Sequence, residues 1–265
     1  MSNETTNNFS LIKLPEIPES VDNTVKNLTD KPSHNIGDTI GDLWYLVFGG
    51  ISHAADKRKM KYAHELENYK AELEKSIEEI PLEKRIEPSV QVTAQALENS
   101  KYCVESKELR DMFTNLISNS MNIDYQQYVH PSFAEMIKQM SPLDAMVLKM
   151  FKKNLNTTFP ICDYHLHSGK GSGYNVVAEK VLLNGPSNNI TATANSLTSL
   201  ERFGLVSIPQ GIYLTDAEVY KPFEEHPLFH MLKSMYEDKG NIQVKKKAVY
   251  LTPLGKSFVN LCIAD

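Results

Sequence analysis

The apolar positions of residues 108–145 follow a helical spacing on both sides of a turn. Before the turn they are Leu109, Met112, Phe113, Leu116 and Ile117, and after it Phe133, Met136, Ile137 and Met140. Residues three or four positions apart share one face of a helix, so this pattern predicts two packed helices. The segment between them, His130-Pro131-Ser132, is predicted to be a hinge, because proline interrupts a helix and serine favours the start of one.

The chain before this stretch is predicted to form a helical bundle over residues 37–141. An apolar helix is expected around residues 43–48, where nearly every side chain is apolar. A long polar helix is expected over Ala54–Ile80, and another over Ser89–Val104. Residues 1–36 are polar and have no apolar period, which predicts a flexible arm.

The carboxyl half has a mixed pattern, which predicts a winged-helix-like α+β domain over residues 142–265. Four helices are expected, over Leu143–Phe151, Tyr174–Leu183 and Ala192–Phe203 and after Pro253. An insertion at about 212–240 should contain a short helix near Pro227–Met235. Extended segments are expected at Phe159–Ile161, Leu205–Ile208 and Ala248–Leu251. The order helix, strand, two helices, strand, wing, strand, helix is that of a winged helix-turn-helix. The predicted fold class is therefore mainly α, with a helical bundle followed by this domain.

Charge and cysteine content narrow the classes of protein. A net charge of -5 argues against a protein that coats nucleic acid through its bulk charge. The three cysteines, Cys103, Cys162 and Cys262, are far apart, which predicts free thiols in a reducing compartment. The longest apolar run, Leu43–Ile51, is shorter than the roughly 20 residues of a membrane-spanning helix, and the polar amino-terminal residues do not resemble a secretion signal. A cytoplasmic location is expected, with peripheral membrane contact as the alternative.

Several segments of the front half carry a family resemblance. They are Leu43–Ile51, Ile80–Glu83, Ala96–Tyr102, Glu108–Met121 and Val129–Ala145. Leu-Arg at 109–110, His-Pro-Ser-Phe at 130–133 and Ser-Pro-Leu-Asp at 141–144 together resemble the abortive-infection alpha family of bacterial phage-defence proteins. The resemblance implies a role in defence against bacteriophage and implies no particular mechanism.

The apolar helix has two interpretations. It is either a core helix that carries the only tryptophan or a surface that contacts a protein or a membrane, since a cationic segment follows it closely. The second interpretation predicts an interaction surface made of Leu43, Trp44, Val47, Phe48, Lys57, Arg58 and Lys59.

A winged helix can also bind DNA through its third helix and its wing. The corresponding residues are Asn195, Ser196 and Arg202 on the helix and Lys245, Lys246 and Lys247 in the presumed wing. Residues 142–265 contain 13 Lys and Arg against 11 Asp and Glu, so the surplus of positive charge is small. A winged helix that binds protein is therefore preferred, and DNA binding is kept as an alternative.

Three segments contain reactive residue types without a recognised motif. Cys162–His167 has metal-ligand types but no second ligand pair, so a polar loop is preferred to a zinc site. Gly169–Gly173 lacks the order of a phosphate-binding loop and is interpreted as a flexible connector. Arg110 and His130 could serve a hydrolase or nuclease only if folding brought them together, and Arg110 is expected to form a buried ion pair with a carboxylate. No catalytic, cofactor-binding or metal-binding residue is assigned.

These observations favour a binding protein over an enzyme. The expected function is phage defence through interaction with a protein, of phage or host origin, or with a membrane surface. The alternatives are a winged-helix regulator that binds DNA and a helical hydrolase or nuclease.

Overall fold

The computed structural model describes residues 36–49, 57–168 and 173–264. The predicted arm lies outside these ranges except for Ile36, and so does the predicted connector except for Gly173. The chain divides into two units, Met1–Gly50 and Ile51–Asp265. Each unit is described by itself.

The described part of the first unit is helix α1, Ile36–Phe48, which confirms the predicted apolar helix. Leu43 and Phe48 are buried, whereas Tyr45 is 77% exposed. The rings of Trp44 and Phe48 lie 4.5 Å apart, because residues four positions apart are neighbours on a helix. The helix therefore has a buried edge and an exposed aromatic side chain.

Five helices open the described part of the second unit. They are α2 (Lys57–Glu78), α3 (Val90–Ser100), α4 (Lys107–Ser120), α5 (Phe133–Lys138) and α6 (Pro142–Lys149), with short 3-10 turns at Leu82–Lys84 and Gln126–Tyr128. Two of these helices begin directly after a serine that caps them. The side chains of Ser89 and Ser106 accept hydrogen bonds from backbone amides in the first turns of α3 and α4. Ser141 and Asp144 form a reciprocal capping box at the start of α6. The predicted series of helices is confirmed.

A four-stranded antiparallel sheet and four more helices follow among the residues that the structure describes. The strands are β1 (Thr158–His167), β2 (Asn175–Val181), β3 (Val206–Ser207) and β4 (Asn241–Leu251), in the order β2-β1-β4-β3. The helices are α7 (Ile190–Arg202), α8 (Lys221–Glu225), α9 (Pro227–Met235) and α10 (Pro253–Cys262), and a 3-10 turn lies at Glu218–Tyr220. Helix α7 confirms the predicted helix at 192–203, and α9 confirms the one near Pro227–Met235.

Helix α4 packs against α2, α3, α5, α6 and α10. Its five predicted core residues are each at most 5% exposed, which confirms the helical spacing read from the sequence. Two amides of α4 bind the end of the chain: Asn115 donates to the carbonyl of Cys262 at 3.1 Å, and Asn119 donates to that of Leu261 at 2.7 Å. These hydrogen bonds occupy carbonyls at the carboxyl end of α10 that have no partner within the helix.

The chain between β3 and β4, residues 208–240, is called the insertion below. Its buried residues Tyr220, Phe223, Phe229 and Leu232 share a core with Cys162, Tyr164, Leu166, Val181 and Ile242 of the sheet. The Tyr164 hydroxyl donates to the carbonyl of Phe223 at 2.7 Å. The insertion is thus folded onto one face of the sheet by apolar burial, which is worth about 1.5–3 kcal/mol for each large side chain.

Two predictions for the carboxyl half are wrong. The segment Tyr174–Leu183 was expected to be a helix but contains β2, and Cys162–His167 was expected to be a polar loop but forms the second half of β1. The first of these segments pairs with the preceding strand β1, and the second pairs with β4, which is distant in sequence; strand pairing overrides weak local preference. The alternation in Cys-Asp-Tyr-His-Leu-His is that of a strand with one apolar and one polar face.

The winged-helix architecture is not confirmed. Between β1 and β3 the described residues contain β2 and α7, whereas a helix-turn-helix needs two consecutive helices. The three lysines predicted to lie in a wing are inside β4, which pairs with β1 from Asn241 to Tyr250. The structure is mainly helical with a small antiparallel sheet.

Candidate functional site

The predicted interaction surface on α1 is only partly accessible. Leu43 is 1% exposed and Phe48 is 4% exposed, while Trp44 and Val47 are half-buried. Lys57, Arg58 and Lys59 form the start of α2, but their side chains lie outside the described residues. The exposed aromatic residue of the helix is Tyr45, which the sequence analysis did not select.

The helix residues predicted to contact nucleic acid have different environments. Ser196 is buried, and its hydroxyl donates to the Oδ1 atom of Asp144 at 2.6 Å. Asn195 is exposed, and the exposed Arg202 places its guanidinium over the ring of Phe203. Ser196 therefore joins α7 to α6 and is not available for a groove contact, whereas the other two residues face solvent.

The three lysines of β4 also differ, because successive side chains of a strand point to opposite faces. Lys247 is 7% exposed and its ammonium lies 2.7 Å from the Oδ2 atom of Asp163. Lys246 is half-buried with its ammonium over the ring of Tyr220. Lys245 is exposed and makes no ion pair within the described part of the chain. The lysine cluster therefore presents one accessible positive charge.

Asp163 is the centre of a buried polar cluster on the sheet. Besides the ion pair with Lys247, its Oδ1 atom accepts a hydrogen bond from the backbone amide of Lys180 at 2.8 Å. This contact occurs at an irregularity in the β1–β2 pairing, where Lys180 has a φ of 49°. The Lys180 ammonium in turn binds Thr198 and Glu201 of α7, both at 2.9 Å. The cluster fixes β2 and α7 against the centre of the sheet.

His165 lies beside this cluster and is 6% exposed. Its ring stacks on that of Tyr174 with centroids 4.0 Å apart and an interplanar angle of 8°. Its Nε2 atom is buried and has no hydrogen-bond partner among the described residues, since the Oδ2 atom of Asp163 is 3.8 Å away. Burial lowers the pKa of His165, because the charged ring would lose its hydration.

The described residues offer little else for catalysis. They include no group of three or more His, Cys, Asp or Glu side chains placed to hold a metal ion. The cysteines are free, as predicted, and all three are buried. Burial raises the pKa of each of their thiols, which makes them poor nucleophiles at neutral pH.

Arg110 and His130 have separate environments. The buried Arg110 guanidinium binds both carboxylate oxygens of Glu72, at 2.8 and 3.1 Å, and one of Glu65 at 2.6 Å, which confirms the predicted ion pair. His130 is exposed, and its Nδ1 atom lies 2.7 Å from the hydroxyl of Ser132. Ser132 does not cap α5 with its side chain, so the predicted cap is wrong. The two residues share no partner among the described contacts.

The insertion carries an apolar surface that the sequence analysis missed. Met231 and Met235 of α9 are 51% and 60% exposed, while Phe229 and Leu232 of the same helix are buried. Residues four positions apart are neighbours on a helix, so the two methionines form one strip, called the Met ridge below. The signal in the sequence was the spacing of Leu228, Met231 and Met235, which continues the apolar face of α9 beyond its core.

The fold and these surfaces define a mainly helical protein with a small antiparallel sheet and an accessible apolar strip. The model of the abortive infection alpha family matches residues 61–262, and the chain therefore belongs to that family. This membership confirms the resemblance and associates the chain with defence against phage by abortive infection.

Two further comparisons add no functional information. No curated protein matches the chain. A solved structure of an uncharacterized protein from the hydrocarbon-degrading marine bacterium Alcanivorax borkumensis SK2 is similar, with 12% identity and a TM-score of 0.32, over 52% of this chain and 94% of that one. At this TM-score the similarity supports no conclusion.

Among the described residues, no helix is long and apolar enough to cross a membrane.

Proposed function

We propose that this chain is an abortive-infection protein that acts by binding a protein partner, and that the Met ridge is part of the binding surface. Family membership supports the defence role. The observation that supports binding is the exposure of two neighbouring methionines on a helix whose core face is already filled.

The fold of the insertion does not explain the Met ridge. Phe229 and Leu232 provide the contacts of α9 with the sheet core, and the methionines lie outside that core. Exposed apolar patches on soluble domains commonly mark interaction sites, and methionine suits such sites because its side chain is flexible and polarizable. A partner with an apolar surface would remove both side chains from water.

The test is a phage challenge of host cells that express the native chain or the double variant Met231→Gln/Met235→Gln. The native chain should reduce plaque formation against at least one phage of a panel, and the double variant should lose that protection. The matched control is Leu82→Gln, since Leu82 is 78% exposed and lies outside the insertion. Thermal unfolding should show that both variants are folded. Full protection by a folded double variant, or equal loss in the control, would contradict the role of the ridge.

Helix α1 is the second candidate surface. A substitution of its exposed Tyr45 tests this surface without disturbing the buried side chains of the helix. Replacing Phe48 would disturb a buried position, whereas Tyr45→Ser changes a side chain that is 77% exposed. Loss of protection in folded Tyr45→Ser would support the helix as a contact surface. Flotation of the native chain and Tyr45→Ser with anionic lipid vesicles would then separate membrane contact from protein contact.

A further inference from the structure

The face of the sheet opposite the insertion is lined by polar side chains in a regular register. In the β1–β4 pairing, Asp163 is opposite Lys245, His165 is opposite Gln243, and His167 is opposite Asn241. Directly opposed residues of an antiparallel pair project to the same face, so these six side chains form one block. The alternating residues Cys162, Tyr164 and Leu166 belong to the core under the insertion.

The positive charge of Lys245 on this face has no ion-pair partner within the described residues. Asp163 already has Lys247 at 2.7 Å and the amide of Lys180 at 2.8 Å. Lys245 is exposed and has no ion-pair partner in the described ranges of the chain. An anionic group of a ligand could therefore approach Lys245 without first displacing a carboxylate.

The same face carries an exposed aromatic ring that is stacked on a buried one. Tyr174 is 54% exposed, and one side of its ring is stacked on the buried His165 at 4.0 Å. The ring of His167 lies 5.7 Å from Tyr174 on the same side of the sheet. Because His165 is held inside the fold, little freedom of the tyrosine ring remains to be lost when a planar group stacks on it.

We infer that this sheet face binds a nucleotide, with the base stacked on Tyr174 and the phosphate at Lys245. Exposed Gln243 and Asn241 lie on the same face, opposite His165 and His167, and can hydrogen-bond to the edge of a base. The combination of a stacking ring and a cation is the chemistry by which proteins bind single-stranded nucleic acids. The nucleotide could belong to a strand or be free in solution, and the experiment distinguishes these sources. This inference goes beyond the proposed function and uses a different face of the sheet.

The test measures fluorescence anisotropy of labelled single-stranded 12-residue RNA and DNA with the full chain. Saturable binding is expected, and Tyr174→Ala should weaken it at least about 5-fold, since loss of a stacked base has effects of that size or more. Tyr174→Phe should retain most of the affinity, because it keeps the ring. Lys245→Gln should weaken binding and reduce the slope of log affinity against log salt by about 0.7.

The matched controls are Tyr213→Ala and Lys153→Gln. Tyr213 is 53% exposed on the insertion, and Lys153 is exposed outside the sheet face. Neither control should change the affinity. Competition by a mononucleotide mixture, with the same dependence on Tyr174, would support the site and assign it to free nucleotides. The inference is overturned if no saturable binding of strand or mononucleotide occurs at about 100 μM protein. It is also overturned if Tyr213→Ala weakens binding as much as Tyr174→Ala, or if a duplex binds equally well without dependence on Tyr174.

Discussion

The helices α2 to α6 and the sheet each contain a buried charged side chain with its partner, but water has different access to the two pairs. The Arg110 side chain is 6% exposed, whereas its partners Glu65 and Glu72 are 22% and 35% exposed. In the sheet, the side chains of Asp163 and Lys247 are 7% and 9% exposed. Arg110 is therefore a buried charge whose carboxylate partners are accessible to water, whereas both Asp163 and Lys247 are buried.

The cost of breaking a buried ion pair depends on whether water can reach the charged group that remains. A carboxylate that water can reach is rehydrated when its partner is removed. An enclosed charge has no such compensation and must remain unpaired or lose its charge. The sheet should thus be more sensitive than the helices to the loss of a single charged group.

The largest expected effect is that of Asp163→Ala. It leaves the Lys247 ammonium buried and unpaired, so the free energy of unfolding should fall by about 3–5 kcal/mol, as measured by urea denaturation. The control is the double variant Asp163→Leu/Lys247→Met, which removes both charges and should recover much of the loss. A single variant no less stable than the double one would contradict this account.

A smaller loss is expected for Arg110→Met. This variant removes four hydrogen bonds to Glu65, Glu72 and the carbonyl of Val104, but it leaves carboxylates that solvent can reach. The free energy of unfolding should fall by about 1–3 kcal/mol. Arg110→Lys should recover part of this, because lysine keeps the charge and loses the two-pronged contact with Glu72. If Arg110→Met cost as much as Asp163→Ala in the same denaturation assay, access of water would not explain the comparison.

The contact between α4 and the end of the chain should matter less. Asn119→Ala removes the 2.7 Å hydrogen bond to the carbonyl of Leu261, at a cost of about 1 kcal/mol. Asn188→Ala, at an exposed loop position, serves as the control and should change stability by less than about 0.5 kcal/mol. Equal effects of the two variants in thermal unfolding would show that the hydrogen bond is not a stabilising link.

The smallest expected effect is a pH dependence of stability caused by His165 in the sheet, which the helices α2 to α6 should not share. Burial lowers the pKa of His165 in the folded chain, so the unfolded chain takes up a proton first as pH falls through about 6.5. Stability should therefore decrease on acidification from about pH 7.5 to 5.5, and His165→Gln should flatten this dependence. The urea midpoint at each pH gives the measurement. A decrease that persists unchanged in His165→Gln would assign it to another group.

Glu65 provides the contrasting titration in the helices. Its hydrogen bond from Arg110 lowers the pKa of the carboxyl group, so the associated stability is present above about pH 4.5 and is lost as pH falls below it. Glu65→Gln should thus lower stability at neutral pH, flatten the loss of stability below about pH 4.5, and leave the pH dependence between about pH 5.5 and 7.5 unchanged. Loss of the neutral limb in this variant would contradict the separation of the two titrations.

Helices were predictable where one local pattern carried the information. The five apolar residues of α4 and the short α9 were both recognised from spacing and residue type alone. The ion pair of Arg110 was also expected, because an arginine within a helical bundle needs a carboxylate partner. Its two partners on α2, 38 and 45 residues away in sequence, were not identifiable from the sequence.

The sheet was less predictable because its strands depend on distant partners. Cys162–His167 contains enough polar residues to resemble a loop, and its role became clear only from its pairing with residues 241–246. The same pairing assigned opposite faces to Lys245 and Lys246, and the pairing of β1 with β2 brought Tyr174 over His165. None of these relations has a local signature.

Local patterns of residues were enough to predict that the chain is mainly helical, where most of its helices lie, and which family it resembles. These properties depend on residues within one or two turns of each other or on runs of residue identities. The tertiary structure decided which charges are enclosed, which methionines face solvent and which polar residues share a sheet face. Those properties depend on strand register and on the packing of segments tens of residues apart, and no local pattern of side chains specifies them.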